Sequence, residues 1–140
     1  MTAEATPGLW LSLPFAPQSA SEARRRFEEW LAAQADGSLC AAARDDDRRY
    51  DAQLVLSELI GNSVLHAAPL PDGTVQVGWV PGADGLDIAV RDGGGKAVPE
   101  VQDAPLMANG GRGLAIVAAL ARSWWVDRTT GQTTTHAVIA

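Results

Sequence analysis

The spacing of apolar residues changes several times along this chain, and each change predicts an element. Residues 1–8 are polar and contain proline and glycine, so they read as a flexible tail, and the alternating Leu9-Trp10-Leu11-Ser12-Leu13-Pro14-Phe15 predicts a short edge strand stopped by proline. Helical spacing follows: Ala23, Phe27, Trp30 and Leu31 form one stripe of a helix capped by Ser19 or Ser21 and running to Ala35, with Asp36-Gly37 as its stop. A second helical stretch runs from Arg48 to about His66. Pro69, Pro71 and Asp72-Gly73 end that region, after which Thr74–Val80 and Leu86–Arg91 alternate as two strands of a hairpin. About twenty residues from Asp92 to Arg112 show no period, the signature of a functional or disordered loop. Leu114–Ala121 then reads as a buried helix, followed by strands at Ser123–Arg128 and Thr133–Ile139 around Gly131. Helices grouped between hairpins predict an α+β fold, a two-layer sandwich with a mixed, mostly antiparallel sheet and helices on one face.

At 140 residues the chain has room for one domain, expected at 9–140. Its 11 Lys+Arg against 17 Asp+Glu give a net charge of −6, which disfavours direct nucleic-acid binding and makes any phosphate site local. Cys40 is the single cysteine, so neither an internal disulfide nor a cysteine metal cluster can form. No lysine or arginine precedes Arg24 and no run approaches eighteen apolar residues, which leads to the expectation of a cytoplasmic protein without a membrane partner. The mixed-sign run Arg44–Arg49 reads as a solvated helix start, its aspartates favouring the N-terminus of the second helix.

Candidate chemistry concentrates on that second helix. Glu58, Asn62 and His66 recur at every fourth position of an otherwise apolar segment and so share one helix face. A carboxylate, an amide and an imidazole stacked there are costly to bury unless a ligand meets them. Two glycine clusters, Asp92-Gly93-Gly94-Gly95 at a strand end and Gly110-Gly111-Arg112-Gly113-Leu114 at a helix start, let backbone approach such a ligand closely. The amides that open the Gly113 helix suit a phosphate, with Arg112 adding charge. Better-known phosphate loops fail on spacing. Gly95-Lys96 is followed by Ala97, and Val90 stands where a P-loop needs its first glycine. Gly111-Arg112-Gly113 comes too near the C-terminus to open a dinucleotide-binding βαβ unit.

In order and spacing these residues resemble the GHKL ATPases. Glu58-Leu59-Ile60-Gly61-Asn62-Ser63-Val64-Leu65-His66 resembles their N-box, Val90-Arg91-Asp92-Gly93-Gly94 their first glycine box, and Gly111-Arg112-Gly113-Leu114 their second. The similarity covers nearly the whole chain and is greatest to the small anti-sigma factor serine kinases and stand-alone ATP-binding regulators of actinobacteria. It implies the Bergerat ATP-binding fold, with ATP and Mg²⁺ as ligands. Asn62 would hold Mg²⁺ through its amide oxygen. Glu58 would orient or deprotonate a substrate hydroxyl. Asp92 would accept the adenine amino group, Gly94 would let the base lie against backbone, and Thr133 or Thr134, with Thr133 preferred, would support adenine. His66 lines the site. The first glycine box usually has a further glycine where this chain has Lys96, a residue able to meet phosphate; Gly111, Arg112, Gly113 and Leu114 complete the nucleotide contacts. Gly61 inside the N-box helix costs about 1 kcal/mol relative to alanine, which implies close packing or local flexibility there. Trp124 and Trp125 point to opposite faces of one strand, one to the core and the other to a partner.

The resemblance implies a kinase that phosphorylates an anti-sigma-factor antagonist and sequesters a sigma factor when unopposed; it leaves a homodimer open. A second reading, a non-catalytic ATP-dependent binding module whose ordered lid recruits a partner, is kept beside it. A histidine-kinase catalytic fragment is disfavoured, because the chain starts with its own strand and helix and shows no dimerising phosphoacceptor helix.

Overall fold

A computed structural model describes residues 9–33, 46–95 and 113–140. In chain order these form β1 (Leu9–Pro14), α1 (Ser19–Ala33), α2 (Asp46–His66), β2 (Thr74–Gly82), β3 (Gly85–Asp92), α3 (Gly113–Leu120), β4 (Ser123–Thr129) and β5 (Gln132–Ile139). The expected tail at 1–8, the helix stop at Asp36-Gly37 and the start of the charged run at Arg44 lie outside the described residues.

The five strands make one sheet in the order β1-β2-β3-β5-β4. The sheet that sequence pattern leaves mixed is antiparallel at every pairing, because each neighbouring pair is joined by a tight turn or brought together by a return across the helical layer. The β2–β3 hairpin is tighter than expected. Pairing continues through Pro81 to Gly82↔Gly85, leaving Ala83-Asp84 as the turn.

The sheet has one dry face. Leu13, Val75, Val77, Trp79, Leu86, Ile88, Val90, Ala137 and Ile139 point to it and form a single core with residues of all three described helices. Burial follows helical spacing on α2 at Ala52, Val55, Leu56, Leu59, Ile60 and Ser63, and on α1 at Ser19, Ala23, Phe27 and Leu31. Each of the fully buried large side chains is worth about 1.5–3 kcal/mol of transfer free energy. Phe27 meets Trp79 edge-on at 5.2 Å between ring centroids and stacks on Trp30 at 6.2 Å, which fastens α1 to the sheet beneath it.

Helix ends follow charge and hydrogen bonding. Asp46 and Asp47 occupy the first turn of α2 and His66 its last, the arrangement the helix dipole favours. The expected serine caps do other work: the Ser19 hydroxyl donates to the Pro14 carbonyl at 2.5 Å, joining α1 to the end of β1, and Ser21 accepts from Arg24 at 3.1 Å. Among the residues of α3 whose burial is described, Leu114 and Val117 are buried and Ala118 and Ala119 exposed, so the expected buried helix covers the core with one side. Trp124 packs on the core and Trp125 is 40% exposed on the other face.

Gly61 has no close neighbour: a Cβ built there meets nothing within 4 Å, so the packing explanation for this mid-helix glycine fails among the described residues. Alanine therefore gains helix propensity without a clash. Gly61→Ala is expected to stabilise the fold by about 1 kcal/mol and raise Tm by about 3–5 °C in calorimetry. A lower Tm would show that the glycine is required by its surroundings.

Candidate functional site

The end of α2 and the end of β3 are joined through backbone. The Gly93 N–H donates to the Ala68 carbonyl at 2.8 Å, and the Ala68 N–H donates to the Gly94 carbonyl at 2.9 Å. Any side chain at Gly93 would place its Cβ 2.1 Å from the Pro69 carbonyl oxygen, so this approach requires glycine. Gly94 has a φ of 84°, in the left-handed region, and turns the chain so that its own N–H donates to Asp92 Oδ1 at 2.7 Å.

Asp92 is the chemical centre of this junction. Only 4% exposed, it accepts the Ser63 hydroxyl on Oδ2 at 2.5 Å and the Gly94 amide on Oδ1. Burial pushes its carboxyl above the ordinary 3.8, and the bonds from Ser63 and Gly94 oppose that rise. It pairs across the sheet with Thr133, which is likewise buried and faces the same side. A Cβ at Gly94 would come within 3.3 Å of Thr133 Oγ1, so the glycine keeps the ground beside this threonine open. The pair of Thr133 and Asp92 thus presents acceptor oxygens next to half-buried glycines, which suits a flat ligand that brings N–H donors.

Ser63 escaped the sequence reading. Its only signal was position: it follows Asn62 directly, so it is rotated about 100° around α2 toward the sheet while Asn62 stays on the neighbouring face. That rotation separates the two roles. Glu58 and Asn62 are half-buried on the accessible side of the helix, and His66 at its end is exposed. Among the described residues no side chain is hydrogen-bonded to any of the three. They are therefore held by the helix with their polar groups still to be matched. Thr134, the alternative to Thr133, points to the other face of the sheet, where it accepts from Arg91.

Gly113 opens α3, and Leu114 is 3% exposed with its side chain in the core. Lys96, Gly111 and Arg112 lie outside the described residues. The residues present fit a purine nucleotide with Mg²⁺: a buried acceptor and a glycine-lined floor lie at one end, and on the helix beside it is an amide oxygen of the hard type Mg²⁺ takes. Among the described residues no cluster of three His, Cys, Asp or Glu could hold a metal alone. An ion there would take most of its ligands from phosphate and water, the usual habit of Mg²⁺. No described helix is long and apolar enough to cross a membrane.

Because the folded state raises the Asp92 pKa, native protein holds that proton more tightly than unfolded protein. The contribution is fully present below the ordinary carboxylate value and is lost as pH rises through the folded one. Asp92→Asn removes the ionisation, so the variant should gain stability relative to the wild type as pH rises through that window. Urea denaturation from pH 4 to pH 7, followed by tryptophan fluorescence, measures the difference, and a pH-independent difference would refute the assignment.

Comparisons with known proteins agree with this fold. The sequence profile of the histidine kinase-like ATPase domain matches residues 13–139. No curated protein matches the chain. Among solved structures, the RsbU and RsbW domains of Rv1364c from Mycobacterium tuberculosis superpose with a TM-score of 0.66 at 21% identity, over 96% of this chain. This chain spans about a third of that one, 32%, and the likeness is one of fold. With the profile running from β1 to the last residue of β5, the chain belongs to the histidine kinase-like ATPase family.

Proposed function

We propose that this domain binds ATP with Mg²⁺ and acts as a regulatory protein kinase that phosphorylates a serine of an anti-sigma-factor antagonist. One observation carries the nucleotide part: Asp92, buried and fixed by Ser63 and Gly94 beside Thr133, is joined through the Ala68 bridge to the helix that bears Asn62 and Glu58. The Asp92 carboxylate accepts the exocyclic amine of adenine, and would face the carbonyl oxygen of guanine with no donor to offer, which gives a preference for adenine. Asn62, with the phosphates, would hold Mg²⁺, an ion that would supply positive charge to the phosphate groups. Glu58 is one helical turn before Asn62 and accepts the proton of the attacking serine hydroxyl as its oxygen bonds to the γ-phosphorus and the bond to the ADP oxygen breaks. Lys96, Gly111, Arg112, Gly113 and Leu114 belong to the phosphate side of this reading, and His66 lines it. The resemblance to anti-sigma factor kinases supports the antagonist as substrate and a sigma factor as the second partner.

Calorimetric titration of ATP with and without Mg²⁺ tests binding. Asn62→Ala should weaken the Mg²⁺-dependent affinity by about 10- to 100-fold, the equivalent of one charge-assisted contact. Glu58→Ala should keep that affinity and lose transfer of labelled phosphate to the antagonist. Binding by neither nucleotide nor metal would overturn the proposal; intact binding with no Glu58-dependent label on any antagonist would leave the domain an ATP-dependent binding module.

A further inference from the structure

The sheet face away from the helices carries a second constellation, independent of the nucleotide reading. One cross-strand row contains Trp10, Gly78, Ala89, His136 and Trp125, with small residues in the middle and a tryptophan at each edge. Both tryptophans are open to solvent, Trp10 at 42% and Trp125 at 40%. Trp10 lies flat over Gly78, where a Cβ would come 2.5 Å from its indole, so the glycine is what lets the ring settle on the sheet.

Arg91 reaches over that ring from the next row, its Cζ 4.6 Å from the Trp10 ring centroid. Its Nε donates to Thr134 Oγ1 at 3.1 Å and its Nη1 to Gln76 Oε1 at 3.0 Å. These partners are neutral. Among the described residues no carboxylate pairs with this guanidinium, although the chain has more acidic than basic residues. Beside it is a cavity of about 280 Å³ lined by Trp10, Leu11, Ser12, Gln76 and Arg91. A guanidinium held in place by an aromatic ring and two neutral acceptors, with N–H groups to spare and open space beside them, is preorganised for a carboxylate.

The far side of the face has the opposite character. His136 lies between Asp87, 3.1 Å from Nδ1, and Asp127, 3.2 Å from Nε2, and Trp125 stacks on its ring at 4.7 Å. Asp87 is four residues before Arg91 on β3 and Asp127 lies on β4, so the donor for an incoming carboxylate stands at the Trp10 end of the face, away from both acids. From the Arg91–Gln76 pair past Trp10 to Val80 is four residues along β2, roughly 13 Å. A free metabolite reaches one end of such a path; a segment of polypeptide spans it.

We infer that this face is a protein-docking surface anchored at Arg91 and Trp10, and that its occupant is a partner segment presenting an aspartate or glutamate beside an apolar side chain. The carboxylate meets the Arg91 guanidinium, and the apolar neighbour covers Trp10 and continues toward Val80, itself 37% exposed. Arg91 and Asp92 are consecutive and face opposite sides of β3, so this surface is separate from the nucleotide site.

Full-length ¹⁵N-labelled protein tests the inference with three probes: a capped peptide alternating leucine and glutamate, its glutamine counterpart, and sodium acetate as the free carboxylate. The glutamate peptide should shift the Arg91 Nε–H and Trp10 indole N–H resonances saturably, at least about tenfold more tightly than either other probe. Arg91→Gln should abolish that difference while leaving ATP affinity unchanged. Equal response to the glutamine peptide, a response to acetate as strong as to the peptide, shifts that survive Arg91→Gln, or no shift at all would each overturn it. So would sedimentation showing a dimer that Trp10→Ala and Arg91→Gln both dissociate, since a second copy would then be the occupant.

Discussion

Two backbone hydrogen bonds, from Gly93 to Ala68 and from Ala68 to Gly94, decide how this domain can work. They bring the exit of a helix and the exit of a strand within bonding distance, a meeting that a side chain at position 93 would forbid. Once it is made, the helix bearing Glu58 and Asn62 cannot slide along the sheet without breaking both bonds. The Ser63–Asp92 contact adds a lateral tie from the buried side. A polar centre can then be kept inside a largely apolar domain, because each member is held by a neighbour that is itself fixed.

The core supplies the stiffness behind that junction. Trp79 and the valines of β2 and β3 fill the space under α2, while the Phe27 and Trp30 rings bring α1 against the same sheet. Arg24 bridges the two helices by donating to Ser57 at 2.8 Å, next to Glu58 in sequence. Desolvation of Asp92 is the cost of this arrangement, opposed by the donors from Ser63 and Gly94. Evolution commonly accepts such a cost where binding requires it.

Much of this was legible before any coordinates, and the reasons differ by element. Period-two alternation marks β1 and the first halves of β2 and β3, where buried positions alternate with more open ones, and the stripe on α1 is equally plain; β5 is buried on both faces and shows no such alternation. Motif spacing singled out Asp92 and Thr133, which the sheet register pairs directly, and put Asn62 on the helix whose end is bonded to that strand end. What escaped were features created by pairing between distant segments. Ser63 acquires its role from a strand 29 positions away, and Ser19 serves a strand end in place of its own helix. The outer row of Trp10, Gly78, Ala89, His136 and Trp125 exists only once the β1-β2-β3-β5-β4 register is known. No local pattern encodes that register.

The strands β3 and β5 act as a partition with two different neighbourhoods. Asp92 and Thr133 belong to one side, while Arg91 and Thr134, each one residue away, belong to the other. Since consecutive residues of an extended strand point to opposite faces, the Asp92 carboxylate and the Arg91 guanidinium start one peptide apart and meet different surroundings. Odd and even positions of the same two strands thus hold two vocabularies, and a register slip of one residue would exchange them wholesale. The chain can revise one side only by substitutions that leave the count between the strands untouched.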